Sequence, residues 1–309
     1  MKKYLLLFSA LYFGLSGVQS IKGQTVIPNA DFENWVTHSG YEDPQGWDTP
    51  NEEASAIPFF GVTVVSKSTD HQSGTYSAKL ETKHMSLPPT DIPGFMTLGN
   101  LTVNFTSQSY VITGGAPVID MPTHLKGYYK YLPVGGDSCV IGIGLFKTNP
   151  VTGVADSIGF GYFSTKATVM DWTPFSAWID YDTIVQPDTM NIIALSTAQE
   201  VMNPGTTLYV DDLWLDYTVG INNSDPRTGV QFYQDKESQR LLIFFDFPSP
   251  RNASVQLFDM MGRKVLDLPA ITLQEGRQVF SYSGFKPGIY IVQVIHGDTK
   301  VTKKYFFNQ

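Results

Sequence analysis

The sequence has almost no cysteine, and this scarcity excludes one common way of stabilising an extracellular domain. Cys139 is the only cysteine among 309 residues, so no disulfide can form within the chain. Stability must therefore come from packed cores. Cys139 lies in an apolar run, which favours a small buried hydrophobe over a reactive nucleophile.

Charged residues are also scarce, at 16%, whereas hydrophobic residues reach 42%. This balance excludes a disordered chain and is typical of globular domains. The charge is unevenly placed, since residues 24–229 hold 8 basic and 22 acidic side chains. Such an acidic region argues against nucleic acid and against anionic membrane surfaces as partners. It is compatible with neutral ligands and with bound cations.

Long hydrophobic runs are missing except at the N-terminus. Lys2 and Lys3 precede an apolar stretch over residues 4–15, and small residues follow that stretch. A charged start, a short apolar core and small residues predict a signal peptide over residues 1–23, because the core is too short to span a bilayer stably. No later stretch approaches the length of a membrane helix, so we expect no transmembrane segment in the mature chain.

The signatures of common catalytic sites are missing as well. There is no Walker loop, no dinucleotide fingerprint and no Gly-x-Ser-x-Gly elbow. The five histidines lack the spacing of a zinc site and are interpreted as surface or turn residues. A glycosidase needs two carboxylates about 5–10 Å apart. The 22 acids of residues 24–229 supply many such pairs by chance, so none stands out.

Short strands and turns are abundant. Alternating bulky and small residues, separated by glycine, proline, asparagine and aspartate clusters, predict an all-β chain. We expect a jelly-roll β-sandwich over residues 25–219, a linker over residues 220–228, and a small immunoglobulin-like β-sandwich of some seven short strands over residues 229–309. The linker prediction rests on turn-forming residues that replace the alternating pattern.

Three motifs mark the C-terminal region. Residues 255–265 read VQLFDMMGRKV, residues 285–294 read FKPGIYIVQV, and residues 303–307 form a basic and aromatic ending. This order resembles the C-terminal sorting domain of the type IX secretion system of Bacteroidota. The resemblance implies export by the type IX machinery, removal of the domain, and a secreted protein attached to the outer-membrane surface. The alternative is a plain immunoglobulin-like accessory domain.

Four further motifs mark the N-terminal region: NADFENW, PQGWD, SGTYSAKL and LYVDDLWLDY, beginning at residues 29, 44, 73 and 208. Their order is similar to galactose-binding-like jelly rolls, and most of all to the PCMD-like domain of Bacteroidota surface proteins, a family named for carbohydrate metabolism. The resemblance implies a carbohydrate-binding sandwich. It also implies a structural Ca²⁺ ion, with Glu33, Asp211 and Asp212 as candidate ligands.

Calcium binding by these acids has a chemical basis, since Ca²⁺ takes six to eight hard oxygen ligands. Adjacent residues of a strand face opposite sides, so at most one of Asp211 and Asp212 would be a direct ligand without local distortion. The alternative is that the three acids cap strand ends or bind nearby backbone amides.

Sugar binding requires exposed aromatic platforms, and the candidate ligand-binding residues are Tyr129, Tyr131, Trp172 and Trp178. By alternation Tyr128 faces the opposite side from Tyr129 and Tyr131, and the sequence does not decide which side is exposed. Because aromatic residues dominate cores, core packing is the expected role of most of these side chains. Trp35, Trp47 and Trp214 belong to the fold motifs and are interpreted as core.

The leading hypothesis is a secreted, cell-surface module that binds glycan or another extracellular polymer without catalysis. It depends on the jelly-roll motifs and on the missing catalytic signatures. Two alternatives remain. One is a structural or adhesive surface protein with no small-ligand site, and the other is a glycan-active enzyme.

Overall fold

The computed structural model describes residues 24–105, 107, 109–183, 185–217, 228–235 and 239–307. The predicted signal peptide, and all of the predicted linker except Thr228, lie outside these residues. Within the described ranges, no helix has the length and apolarity needed to cross a bilayer.

The N-terminal domain is built from short antiparallel strands and one short helix, which confirms the predicted all-β class. Its elements, in chain order, are β1 (Trp35–Thr37), β2 (Glu42–Pro44), α1 (Asn51–Ser55), β3 (Val65–Ser68), β4 (Ser77–Glu81), β5 (Lys83–Ser86), β6 (Pro89–Ile92), β7 (Phe95–Thr97), β8 (Asn100–Asn104), β9 (Ser109–Thr113), β10 (Ala116–Pro117), β11 (His124–Leu132), β12 (Cys139–Thr148), β13 (Ala155–Thr165), β14 (Val169–Trp178), β15 (Asp180–Tyr181), β16 (Thr189–Leu195) and β17 (Thr207–Asp216).

Two sheets form the sandwich. The six-stranded sheet has the order β10-β16-β12-β13-β15, with β7 also paired to β16. The five-stranded sheet has the order β14-β11-β17-β4-β3. Pairing between strands far apart in sequence ties the third motif to the last, since β4 pairs with β17.

Period-two alternation places the core between these sheets. On β12, Cys139, Ile141, Ile143 and Leu145 all point inward and are fully buried. The sandwich therefore gains its stability from apolar burial on one face of each strand. Cys139 is a buried free thiol, as predicted, and burial raises its pKa to about 11.

The C-terminal domain is all-β, as predicted. Its strands form one antiparallel sheet that encloses a single apolar core, although fewer and longer strands replace the predicted seven. Its strands are β18 (Val230–Asp235), β19 (Arg240–Asp259), β20 (Lys264–Ser281), β21 (Gly288–His296) and β22 (Thr299–Phe307). The long strands β19 and β20 are interrupted by register shifts. Bulges let each of these strands bend without ending.

The two domains contact each other through one strand. The run Leu241–Phe245 of β19 is buried on both faces, as its unbroken apolar sequence requires. Leu241, Ile243 and Phe245 belong to the C-terminal core. Leu242 and Phe244, each 2% exposed, belong instead to the cluster of the N-terminal sandwich. The gap that remains at this contact is ≈ 20 Å³, room for about one water molecule.

Candidate functional site

The candidate calcium ligands lie around one loop, residues 72–76, and bind its backbone. Oε1 of Glu33 accepts hydrogen bonds from the amides of Thr75 and Tyr76, at 2.7 and 2.9 Å. Oδ2 of Asp211 accepts from the amides of Gln72 and Ser73, at 2.7 and 3.4 Å. The loop therefore presents N–H donors to these carboxylates.

Asp211 and Asp212 both reach this loop, although they are neighbours on one strand. Adjacent strand residues can face the same side only where the strand is distorted. Such a distortion is present, since the register of β17 against β11 shifts beside Asp212. Asp212 also has a positive φ of 47°. Its Oδ1 accepts a hydrogen bond from Oγ of Ser73, at 2.9 Å. The bulge thus turns two consecutive carboxylates toward the same loop.

The electrostatics of this cluster follow from its burial. Burial raises the pKa of Asp211 to about 6, and the nearby charge of Asp212 adds to that increase. Hydrogen bonds from the loop amides act in the opposite direction. For Glu33, the amide of Thr75 is the main cause of a lowered pKa.

These contacts help to distinguish calcium binding from amide binding by Glu33, Asp211 and Asp212. Within the described residues, no group of three or more His, Cys, Asp or Glu side chains could hold a metal ion. Carboxylate oxygens that face amide N–H groups are placed to bind backbone, and the calcium site remains a prediction. The geometry matches the alternative in which the acids bind amides.

Strand β11 exposes the opposite side from the one chosen as a sugar platform. Tyr129 is 6% exposed and Tyr131 is fully buried. Tyr129 packs against Phe163 and Phe175 inside the sandwich. Neither ring can be reached by a glycan, which corrects the choice of these two residues. The outward side chain of this segment is Tyr128, whose ring lies 6.0 Å from that of Trp214.

Trp172 lies on the outer face of the five-stranded sheet and is half-buried. Its indole Nε1 donates to Oδ1 of Asp70, at 3.1 Å. Oδ2 of Asp70 accepts from Nζ of Lys130, at 2.6 Å, and that ammonium also lies over the Trp172 ring. The ring is therefore held in place, and its polar edge is already bonded.

Trp178 is covered by the C-terminal domain. Together with Leu242 and Phe244 it lines the small gap between the domains. A ligand cannot stack on Trp178 while that contact exists, so it is not an open platform in the full chain.

The prediction for Trp214 was wrong in the opposite direction. It was interpreted as core, but it is 39% exposed at the end of β17.

The most exposed aromatic pair of any strand in the six-stranded sheet lies on its outer face and has no counterpart among the predicted residues. Phe160 and Tyr162 on β13 are 51% and 58% exposed, and their ring centroids lie 5.6 Å apart. Their partners across the strand pair are Gly144 and Gly142 of β12. The ring of Phe146 on β12 lies over Gly144, with its Cζ 2.9 Å from the position that a β-carbon there would take. A third aromatic ring therefore borders the exposed pair.

The sequence carries a signal for this pair in the alternation Gly159-Phe160-Gly161-Tyr162. The glycines point inward, where a β-carbon on Gly161 would lie 2.2 Å from the carbonyl oxygen of Trp178. The segment that leads into β15 therefore passes very close to the backbone of β13. Only glycine permits this approach, and the alternation then forces both rings outward.

A polar side chain lies on the same face of the sheet, two strands away from the aromatic pair. Asn191 of β16 pairs with Gly144. Its Oδ1 accepts from Oγ1 of Thr97 at 2.7 Å and from the amide of Gly99 at 3.0 Å. Because the oxygen is engaged, the amide nitrogen is left as the donor. We call this surface the aromatic trough; its residues are Gly142, Gly144, Phe160, Tyr162 and Asn191.

Comparison with known families identifies the C-terminal domain. Residues 238–308 match the family described as the secretion system C-terminal sorting domain. The match confirms the resemblance to type IX sorting domains seen in the sequence, and we use the name sorting domain from here on. A search of curated proteins finds no match.

Solved structures resemble the N-terminal sandwich. A presumed glycoside hydrolase from Bacteroides thetaiotaomicron has a TM-score of 0.50 and 16% identity, covering 61% of this chain and 70% of that chain. Lower scores relate the chain to TmCBM61 in complex with β-1,4-galactotriose, with a TM-score of 0.33, 10% identity, and coverage of 63% and 99%. The carbohydrate-binding module CBM28, specific for non-crystalline cellulose, scores 0.34 at 16% identity, with coverage of 63% and 96%. At 16% identity, the likeness to the Bacteroides thetaiotaomicron structure shows the fold alone.

Proposed function

We propose that this protein is a secreted, surface-attached module that binds a neutral glycan without catalysis, and that the aromatic trough is its binding face. The observation that carries the proposal is the exposed pair Phe160 and Tyr162 on the outer face of the six-stranded sheet. Flat apolar rings next to polar groups suit a sugar, whose C–H faces stack on rings while its hydroxyls form hydrogen bonds.

Two further observations support the proposal. The side-chain amide of Asn191, which is in register with Gly144 and Phe160, offers a hydrogen-bond donor on the same face of the sheet. The acidity of residues 24–229 disfavours a polyanionic ligand.

Binding without catalysis is supported by the placement of the acids. A glycosidase needs a general acid with a raised pKa beside a second carboxylate. Among the described acidic residues, burial raises the pKa of Asp43 and Asp211. Asp43 bonds to Thr49 and Asn51, and Asp211 bonds to the loop at residues 72–76. Neither belongs to the strands that form the trough.

Affinity measurements with the full chain test the binding face. A panel of insoluble and soluble neutral polysaccharides is used, and the double variant Phe160→Ala, Tyr162→Ala is compared with wild type. We expect at least about tenfold weaker binding, since removing two stacking platforms removes more than 1.4 kcal/mol. Phe59→Ala, which removes an exposed ring from the loop after α1, is the matched control. Unchanged affinity of the double variant rejects the trough.

Cell fractionation tests the export part of the proposal. The sorting-domain match supports export, whereas surface attachment and removal of the domain are proposed. We expect a chain that lacks residues 229–309 to stay in the periplasm. Surface delivery of the truncated chain, or a mature surface form that retains its C-terminal end, contradicts the proposal.

A further inference from the structure

We infer that the N-terminal sandwich carries a second ligand site for a neutral saccharide, in a groove on the side of the five-stranded sheet. It lies between the turn at residues 29–34 and the end of β17, and its volume is ≈ 550 Å³. The groove is shallow and largely open to solvent. We call it the Trp214 groove; its lining is Val26, Ile27, Asn29, Ala30, Asp31, Asn34, Asp212, Leu213 and Trp214.

The walls of this groove are held rigidly. Phe32 is fully buried and anchors the turn in the core, while its backbone amide donates to the carbonyl of Asn29. Asn29 and Asn34 bond to each other through side chain and backbone. The amide of Leu213 donates to the carbonyl of Ala30 at 2.9 Å, which joins the turn to the strand.

Unusual backbone geometry is concentrated at the same place. Asn29, Phe32 and Asp212 have positive φ values of 45°, 50° and 47°. Among the other described residues that are not glycine, only Phe59 and Gln239 have a positive φ. Backbone strain gathers where a chain must present particular groups. Here the exposed Asp31 lies between two of these residues, and Asp212 has one carboxylate oxygen that Ser73 does not use.

The groups in the groove suit sugar hydroxyls. The indole of Trp214 is exposed, and its N–H makes no hydrogen bond to any described residue; Tyr128 supports the ring from the side. Asp31 is exposed and has no bond or ion pair to any residue in the described ranges. Asp212 uses one carboxylate oxygen for Ser73, so the other is available.

This combination favours a neutral ring over an anion. Carboxylate oxygens accept hydrogen bonds from pairs of hydroxyls, and the indole face stacks on C–H groups. The same two negative charges repel uronates, sulfates and phosphates. The inference goes beyond the proposed function, because it requires only the sandwich and not the aromatic trough.

Two sites on opposite sheets have a consequence that one site lacks. The trough lies on the outer face of the six-stranded sheet, and the groove lies on the five-stranded sheet. A single domain would then hold two glycan chains at once and link them. Such bivalency raises the avidity for a polymer without any new contact.

Calorimetric titration of the full chain with short neutral oligosaccharides of glucose, galactose, mannose or xylose tests the inference. We expect two binding events per wild-type chain. Trp214→Ala should weaken one of them by at least about tenfold, and Asp31→Lys should weaken the same one. Asp31→Lys alters an exposed side chain, so it keeps the test open if Trp214→Ala fails to fold. Phe59→Ala again serves as the control.

The outcomes separate the two proposals. Loss of one event in each of the Trp214→Ala and Phe160→Ala, Tyr162→Ala variants supports both sites. If only Trp214→Ala has an effect, the trough is rejected and the groove stands. If Trp214→Ala and Asp31→Lys both bind like wild type, the groove is rejected. A fluorescence change with Ca²⁺ alone, and none with any sugar, also overturns the saccharide assignment.

Discussion

Glu33 and Gly74 share one small space: a β-carbon on Gly74 would lie 2.2 Å from Oε1 of Glu33. Gly74 also has a φ of +69°, which side chains with a β-carbon rarely adopt. The glycine thus lets the carboxylate approach close enough to bind the amides of Thr75 and Tyr76. An acid in the first motif and a glycine in the third are therefore one structural unit.

Gly74→Ala should destabilise the sandwich by about 2–4 kcal/mol, because the added β-carbon displaces the Glu33 carboxylate from its two amides and adds to the backbone cost. Gly153→Ala is a matched control, since Gly153 has nearly the same φ, +70°, but nothing within 4 Å of its β-carbon position. The control should lose only about 1 kcal/mol. Chemical denaturation of both variants gives the comparison. Equal losses would show that Glu33 does not fill the space.

Calcium and amide binding make different predictions for the same acids. Because the carboxylates already accept amide hydrogen bonds, we expect the thermal midpoint of wild type to be the same with Ca²⁺ and with a chelator. Glu33→Ala should lose about 1–3 kcal/mol in both solutions, since it leaves two amides without their acceptor. A midpoint that falls on chelation in wild type but not in Glu33→Ala supports the calcium site instead.

Sequence pattern predicted the class of the fold and much of its local structure. Cys139, Ile141, Ile143 and Leu145 alternate, and the structure places all of them inside β12. Most of the motif at residues 285–294 falls on β21 (Gly288–His296), in the matched sorting domain. Both successes have the same cause, because a repeat of two residues and a long motif are properties of the local chain.

Which aromatic side chains are exposed could not be predicted in the same way. Alternation separates Tyr128 from Tyr129 but does not say which of them faces the other sheet, since both are large and aromatic. That choice is made by packing against Phe163 and Phe175, which lie 34 and 46 residues further along the chain. Trp214 was misread for a similar reason: a motif that marks the fold says nothing about exposure.

Asp137 is expected to be essential for the N-terminal sandwich. It is fully buried, and its carboxylate accepts hydrogen bonds from Thr197, Thr206 and Asn203 at 2.6–3.1 Å. Burial acts to raise its pKa, but these bonds more than compensate and lower it, so the side chain is ionised.

Asp137→Asn replaces an acceptor by an amide group that faces existing donors. We expect a loss of about 3 kcal/mol or more in the free energy of unfolding, since hydrogen bonds to a buried charge are strong and their loss leaves donors unpaired. Asp156→Asn, at an exposed position of β13, should change stability by less than about 0.5 kcal/mol. Urea denaturation followed by tryptophan fluorescence measures both. A small loss for Asp137→Asn contradicts this role.

His296 should make the sorting domain sensitive to acid. It was interpreted as a surface residue, yet it is buried at the end of β21 with its ring 4.6 Å from that of Phe247. Burial lowers its pKa from 6.5, and the positive charge of Arg251 adds to the effect. A base with a lowered pKa in the folded state is protonated mainly in the unfolded state. Its stability contribution is therefore complete above about pH 6.5 and is lost as the pH falls below it.

Hydrogen exchange of the amides of β21 and β22 measures this loss for the sorting domain alone. We expect protection to fall between about pH 7 and pH 5 in wild type, after correction for the intrinsic rates. His296→Leu should remove most of that dependence, whereas His71→Leu, at an exposed position, should keep it. The same pH dependence in all three proteins would assign it to other groups.

Phe244 should couple the two domains. It points away from the core of the sorting domain, which holds Leu241, Ile243 and Phe245, and it is buried with Leu242 in the cluster of the sandwich. Burial of each of these two side chains contributes about 1.5–3 kcal/mol. Phe244→Glu replaces that gain with the cost of desolvating a charge, so the contact should open while both cores persist.

Scanning calorimetry of the full chain distinguishes coupled from independent domains. Because the contact adds several kcal/mol to whichever domain is less stable, we expect that domain to unfold close to its partner in wild type. In Phe244→Glu its transition should move to lower temperature, while the other transition stays in place. Phe306→Glu changes an exposed ring of the same domain and is the control. If Phe244→Glu shifts no transition, or if Phe306→Glu gives the same shift, the contact does not couple the domains. Release of the sorting domain would then leave the stability of the sandwich unchanged.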